Sequence, residues 1–232
     1  MFFNCVYEFF LDESIENTTY LDDDVKKLEK AIQDNDKEQI KVLMEKETNL
    51  KALSTKLYQG FTLLHFAVQY SKITVSTVTL LVQKIDISQH LDVEKLNPLH
   101  YASKLKNHEK LKTLLETHPN SVNSQCSIKK TPLHYAVENN CFKNIDILLK
   151  TDGVDVKSTD IESKNILHYI VSKNEKAVGK YKKTFKNILH HTSFEESALL
   201  PPKDCETNTK SVIDCAVDKG YMCVLLEISN SK

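Results

Sequence analysis

Apolar positions in this chain recur on two periods at once. Over short stretches they fall three residues apart, which places them on one face of a helix. The pairs are Leu64 and Ala67, Leu99 and Ala102, Leu133 and Ala136, Leu167 and Ile170, and Ile213 and Ala216. Each pair lies in a rewritten form of one short phrase. The five forms are Thr62-Leu63-Leu64-His65, Asn97-Pro98-Leu99-His100, Thr131-Pro132-Leu133-His134, Asn165-Ile166-Leu167-His168 and Ser211-Val212-Ile213-Asp214. The four histidines lie 35, 34 and 34 residues apart, and the fifth phrase follows after 46. A second apolar pair comes 14 or 15 residues after each of the first three histidines, at Leu80-Leu81, Leu114-Leu115 and Leu148-Leu149. Ile188-Leu189 and Leu225-Leu226 are its later equivalents. Self-similarity at this period predicts stacked units, each a helix, a tight turn, a second helix and an extended loop. Neither helix of a unit can bury its apolar face alone, so neighbouring units must cover it.

The phrase is a helix entry. Thr, Asn or Ser opens it, with a side chain that accepts a hydrogen bond from a free amide of the first turn. Pro98 and Pro132 follow at a position where a missing N–H costs nothing and a fixed φ helps. The small residue three places after the leucine lets a neighbouring helix approach closely.

These residues resemble the ankyrin repeat, whose signature is Thr-Pro-Leu-His-x-Ala in a unit of about 33 residues. Residues Lys130 to Val137, reading Lys-Thr-Pro-Leu-His-Tyr-Ala-Val, match it fully, and the other phrases carry one or two substitutions. Gly153-Val154-Asp155-Val156-Lys157 is similar to the family's stretch between repeats. The resemblance implies an all-α ankyrin-repeat solenoid of about six helix-turn-helix repeats with hairpin-like connecting loops. It covers residues 24–229, with units at about 24–50, 60–88, 96–124, 130–157, 164–191 and 210–229. By the same resemblance His65, His100, His134 and His168 are structural, bonding to the capping residue and to neighbouring loop backbone. Thr131 and Pro132 belong to that structural motif.

The units are unequal. Residues 1–23 precede the array as an apolar arm and an acidic linker, and Asp22 to Asp24 read as a helix cap. The first unit lacks the histidine phrase and is highly charged, as suits a capping repeat. The stretch Ile73 to Thr79 is rich in β-branched residues and alone would pass for a strand; the repeat phase makes it a helix. In the fifth unit the apolar pair arrives 20 residues after His168, which predicts about six extra residues in the joint between its helices. Residues 192–209, with Pro201-Pro202, form a polar insertion, either a functional loop or a neutral one. Only four glycines are present, so left-handed turn positions fall to Asn, Lys or Asp, with Asn140 and Asn107 as examples.

Composition narrows the function. The 31 basic and 32 acidic residues give a net charge of −1, which offers no large field for nucleic acid or a membrane surface. Lys176, Lys180, Lys182, Lys183 and Lys186 read as a solvated helix face. The six cysteines form no C-x-x-C pair, and their spacing suits reduced thiols in cytosol or nucleus better than a secreted disulfide framework. Cys215 and Cys223 are expected to pack as small apolar residues. No apolar run is long enough to span a bilayer. The arm at residues 1–11 is apolar but has neither a basic start nor a cleavage site, so it either folds over the first repeat or serves as a partner-binding or membrane-touching arm.

No metal or cofactor is expected. Equivalent histidines one repeat apart are about 10 Å from each other, too far to share an ion, and His190-His191 point to different helix faces. Nucleophile-elbow, zinc-protease and phosphate-loop motifs are absent, so no enzyme is expected. The resemblance implies a non-catalytic scaffold that binds a protein partner through its concave face and loop tips. The tip candidates are Tyr58, Gln59, Glu94, Lys95, Ile128, Lys129, Ile161 and Glu162. The inner-helix candidates are Tyr70, Lys104, Glu138 and Asn139. Phe66, Tyr101, Tyr135 and Tyr169 form a further aromatic row, read either as packing between repeats or as a partner-facing stripe. A stand-alone array resembles IκB-type inhibitors. The alternative is the cytosolic ankyrin portion of a transient receptor potential-type channel.

Overall fold

The phrase residues do what their chemistry suggests: each starts a helix that packs on the equivalent helix one period away. The structure is a computed structural model that describes residues 23–45, 61–173, 175–191, 194, 199 and 210–230. Among the described residues there are thirteen α-helices and no strand. We number them α1 (Asp23–Asp34), α2 (Lys37–Met44), α3 (Leu63–Gln69), α4 (Val75–Val82), α5 (Pro98–Lys104), α6 (His108–Thr117) and α7 (Pro132–Glu138). There follow α8 (Phe142–Leu149), α9 (Ile166–Ser172), α10 (Glu175–Lys180), α11 (Lys182–Leu189), α12 (Val212–Asp218) and α13 (Met222–Asn230).

Helices α3, α5, α7, α9 and α12 form an inner row in which each packs on the next. In the outer row α2 packs on α4, α4 on α6, α6 on α8, α8 on α11 and α11 on α13. The described residues therefore form an all-α solenoid of stacked helix pairs. Its core lies between the rows, where Leu64, Ala67, Leu99, Ala102, Leu133, Ala136, Leu167, Ile170 and Ala216 are buried. The alanines sit where one inner helix meets the next, and a larger side chain there would push the rows apart. Pro98 and Pro132 occupy the first helical turn.

Three features differ from expectation. The β-branched stretch is helical only from Val75; Ile73 lies outside the helix and Thr74 caps it, accepting from the Thr77 amide. The extra residues in the fifth unit are not a lengthened loop, because they fold into the additional short helix α10. Asn107 has φ −82 and holds no left-handed position. Among the described residues the left-handed positions are Asn35, Lys95, Lys129, Asn140 and Ser163, with Gly153 and Gly220, so serine and no aspartate shares the role there. Residues 1–22 and 46–60, most of 192–209, and with them Tyr58 and Gln59, lie outside the described residues.

Candidate functional site

The histidines build the floor beneath the loops. His65, His100, His134 and His168 each stand third in their helix, and Nδ1 accepts the backbone N–H of the capping residue at 3.1–3.2 Å. An accepting Nδ1 leaves the proton on Nε2, which donates to the next loop. The acceptors are the carbonyls of Leu96, at 3.0 Å, Ser124, at 3.0 Å, Lys164, at 3.3 Å, and Lys210, at 3.1 Å. One ring thus ties a helix start to the following repeat. Burial lowers the pKa of His65, His100 and His134 to about 4 and lowers that of His168 as well, so all four are neutral at physiological pH. In the fifth phrase Asp214 replaces histidine. Its carboxylate accepts the Ser211 N–H and the Ser211 hydroxyl, which keeps the cap but offers no second ring nitrogen.

Above this floor the loops end in tight hairpins. Asp92 Oδ1 accepts the amides of Glu94 and Leu96, and Oδ2 accepts the Tyr101 hydroxyl at 2.6 Å. Asp160 does the same for Glu162, Lys164 and Tyr169. Burial first, and then the carboxylate, pushes both phenols well above their usual range, so they remain donors. In the loop between these two the aspartate is replaced by Cys126, whose Sγ lies 3.6 Å from the Tyr135 hydroxyl. Adjacent tips are joined edge to edge: Ser127 N donates to Glu94 O at 2.7 Å and Ile161 N to Ile128 O at 3.0 Å. The row of tips is consequently a rigid ribbon.

The aromatic row packs between repeats. Tyr101 sits edge-on against His65, Tyr135 against His100 and Tyr169 against His134, with centroids 5.3, 5.6 and 5.5 Å apart. Phe66, Tyr101 and Tyr135 are buried, and Tyr169 is half-buried. Lysines cover the rings from the groove side. Lys104 Nζ lies 4.1 Å from the Tyr101 centroid and 5.6 Å from that of Tyr135. Lys130 Nζ lies 5.8 Å from Tyr135 and 5.0 Å from Tyr169, and also pairs with Glu138 at 3.0 Å. Burial lowers the Lys104 pKa, while Asp92, Glu94 and Glu138 oppose the shift.

The sequence-predicted residues divide by position. Glu94, Lys95, Ile128, Lys129, Ile161 and Glu162 are exposed on the tips, and Glu162 pairs with Lys164. Lys104 and Glu138 flank the tyrosines. Tyr70 follows α3 and stacks on Phe66 with centroids 5.2 Å apart. Asn139 caps α7, is exposed, and donates its Nδ2 to Tyr135 O at 2.9 Å. Cys215 packs against the apolar core as a small residue and is half-buried.

Sequence reasoning missed a second set of inter-repeat ties. Each inner helix ends in carbonyls without helical partners, and at α3, α5, α7 and α9 a side chain from the next unit reaches them. Lys110 Nζ donates to Ala67 O, Val68 O and Tyr70 O at 2.8–3.0 Å, although the residue is 1 % exposed. Asn144 Nδ2, 34 residues on, serves Ala102, Ser103 and Leu105 in the same way. Tyr181 reaches Val137 O, Lys219 reaches Val171 O and Ser172 O, and Tyr221 reaches Lys173 O. The signal was available: Lys110 and Asn144 stand four residues before the core leucines Leu114 and Leu148, on the apolar face.

Burial lowers the Lys110 pKa to about 8, against the pull of three carbonyls at a negative helix end. Its ammonium is therefore charged at neutral pH.

No curated protein matches the chain. A family model described as ankyrin repeats in three copies matches residues 28–125 and again 74–160, together more than half of the sequence. With the shared helix-entry phrase and the two stacked helix rows, this match decides the question of kinship: the chain belongs to the ankyrin-repeat family.

Proposed function

We propose that this chain is a non-catalytic scaffold that holds a protein partner along its loop tips and concave groove. Ankyrin repeats generally mediate protein–protein interaction and are typically non-catalytic. The observation that carries the reading is on the tips. Val93, Ile128 and Ile161 are 69, 40 and 60 % exposed, on loops that are hydrogen-bonded to one another and rest on buried histidines. Large apolar side chains held out by a rigid backbone lose little conformational entropy when a partner covers them. The charged neighbours Glu94, Lys95, Lys129 and Glu162 provide a polar rim that sets register. Neither a cofactor nor a small-molecule substrate enters this reading, and its compartment is the cytosol or nucleus. Among the described residues no helix is long and apolar enough to cross a membrane.

The test is a triple substitution, V93S with I128S and I161S, compared with the parent chain for the set of proteins co-purified from cells. The variant should keep its melting temperature and lose the partner. Retention of the same partner at the same level would place binding elsewhere.

A further inference from the structure

The row of rings is interrupted once. Phe66, Tyr101, Tyr135 and Tyr169 each follow a histidine, and the equivalent residue after Asp214 is Cys215. In the three preceding joints, the tyrosine of one repeat seats edge-on upon the histidine of the repeat before it. The histidine due to receive a ring from Cys215 is His168. Among the described residues no ring stands there. Instead an open cleft of about 720 Å³ lies at that place in the groove, bordered by His168, Tyr169, Lys164, Lys210, Cys215 and Lys219 among others. The thiol of Cys215 leaves unfilled the part of this cleft that a tyrosine at the same repeat position would occupy.

We propose that this cleft takes an aromatic side chain of the partner protein, seated on His168 as Tyr169 is seated on His134. The proposal rests on the concave-face reading and deepens it by naming an anchor. Two groups that hold the internal rings are repeated here. His168 is buried, and its Nε2 is bonded to Lys210 O at 3.1 Å, which fixes the ring plane against which an incoming edge would pack. Lys164 stands immediately before its cap residue, as Lys130 does one repeat earlier, and Lys130 lies over the rings of both its own repeat and the next. Lys164 Nζ pairs with Glu162 at the edge of the cleft, and turning from that exposed pair toward the groove would bring it over a ring seated there. Lining cations outnumber lining carboxylates four to two, with Lys130, Lys164, Lys210 and Lys219 against Glu138 and Glu162. A π-rich ring suits such a wall better than an aliphatic chain does. A tyrosine, phenylalanine or tryptophan in an extended partner segment is the occupant this chemistry fits; anchors of that type dominate many interfaces.

The half-buried Cys215 thiol is a reporter in the wall of the cleft. The full 232-residue chain is treated with iodoacetamide, and modification of the Cys215 peptide is followed by mass spectrometry. The added probe is millimolar N-acetyl-tyrosine amide or N-acetyl-leucine amide. The proposal expects the tyrosine probe to be favoured by about threefold to tenfold in the concentration that halves the rate, the factor an edge-on ring and a cation supply. The His168 ring resonances should shift with the tyrosine probe. In C215Y, which supplies the missing ring, they should sit at the bound position and no longer respond. C215A should respond as the parent does. Equal protection by both probes, or an unmoved His168, would overturn the proposal. The tip variants decide the broader reading separately: if they lose the partner while C215Y keeps it, the groove binds but this cleft is not its anchor.

Discussion

At Asn97 the helix-entry cap is imperfect. Its Oδ1 accepts the His100 N–H at 3.1 Å and also faces His100 Nδ1 at 2.7 Å, while its Nδ2 is buried with no partner. Turning the amide over would give Nδ1 a donor but aim the NH₂ group at the His100 N–H. Thr62 avoids this conflict, because one hydroxyl faces both the His65 N–H, at 3.5 Å, and Nδ1, at 3.0 Å. Asn97→Thr should therefore stabilise the protein by about 1 kcal/mol, the scale of one buried unpaired group, read as a raised urea midpoint. The same rings make stability depend on pH. Their folded pKa of about 4 lies below the ordinary 6.5, so the unfolded chain binds more protons between these values. Stability is thus full above pH 6.5 and falls as pH drops toward 4. Three such histidines remove up to about 4 kcal/mol per pH unit at the steepest point. Urea unfolding at pH 7, 6 and 5 should show the loss, with no matching change between pH 7 and 8.

Between elements, what holds one helix pair to the next is polar as much as apolar. The inner helices are only seven residues long, too short to stand on propensity. Their starts are tied forward by histidine and their ends by Lys110, Asn144, Tyr181 or Lys219. Lys110→Met fills the same space and leaves the Ala67, Val68 and Tyr70 carbonyls without that donor. A loss of about 2–4 kcal/mol in urea unfolding is expected, well above the usual effect of a lysine substitution on a helix surface. The tips show the opposite economy: Lys95, Lys129 and Ser163 hold φ near +60° without glycine, at a backbone cost that the surrounding hydrogen bonds offset.

Among the described residues the main helix contacts all lie within a unit or with the adjacent one, so stability is a sum of unit and interface terms. Pairs α5–α6 and α7–α8 are covered on both sides, whereas among the described residues α12–α13 packs on one neighbouring unit only. The joint leading to it is also the one with the missing ring, although His168 still ties it through Lys210 O. Native-state hydrogen exchange should show the amides of α12 and α13 opening at markedly lower free energy than those of α7 and α8. Leu133→Asp, at the buried centre, should instead expose amides of the whole inner row.

Much of the architecture was legible beforehand because a repeat writes the same local physics several times. Cap, proline, leucine, histidine and alanine each have a role set within four residues, and their recurrence fixes both the helix entries and the stacking direction. Single features without a repeated pattern were not legible. The extra residues near 175–180 had no period to place them, and helical folding there needed the core that Val178 and Tyr181 enter. Asn107 is not left-handed and Ser163 is, because a left-handed φ depends on how the chain must turn toward its neighbour, not on residue type alone. Nor does the sequence place Cys215 against His168. The sequence by itself determined the fold, the family and the row of tips, since those follow from short-range periodicity. Only the tertiary structure decided which side chains bridge repeats and where a ring is missing, because those facts belong to pairs of residues more than thirty positions apart.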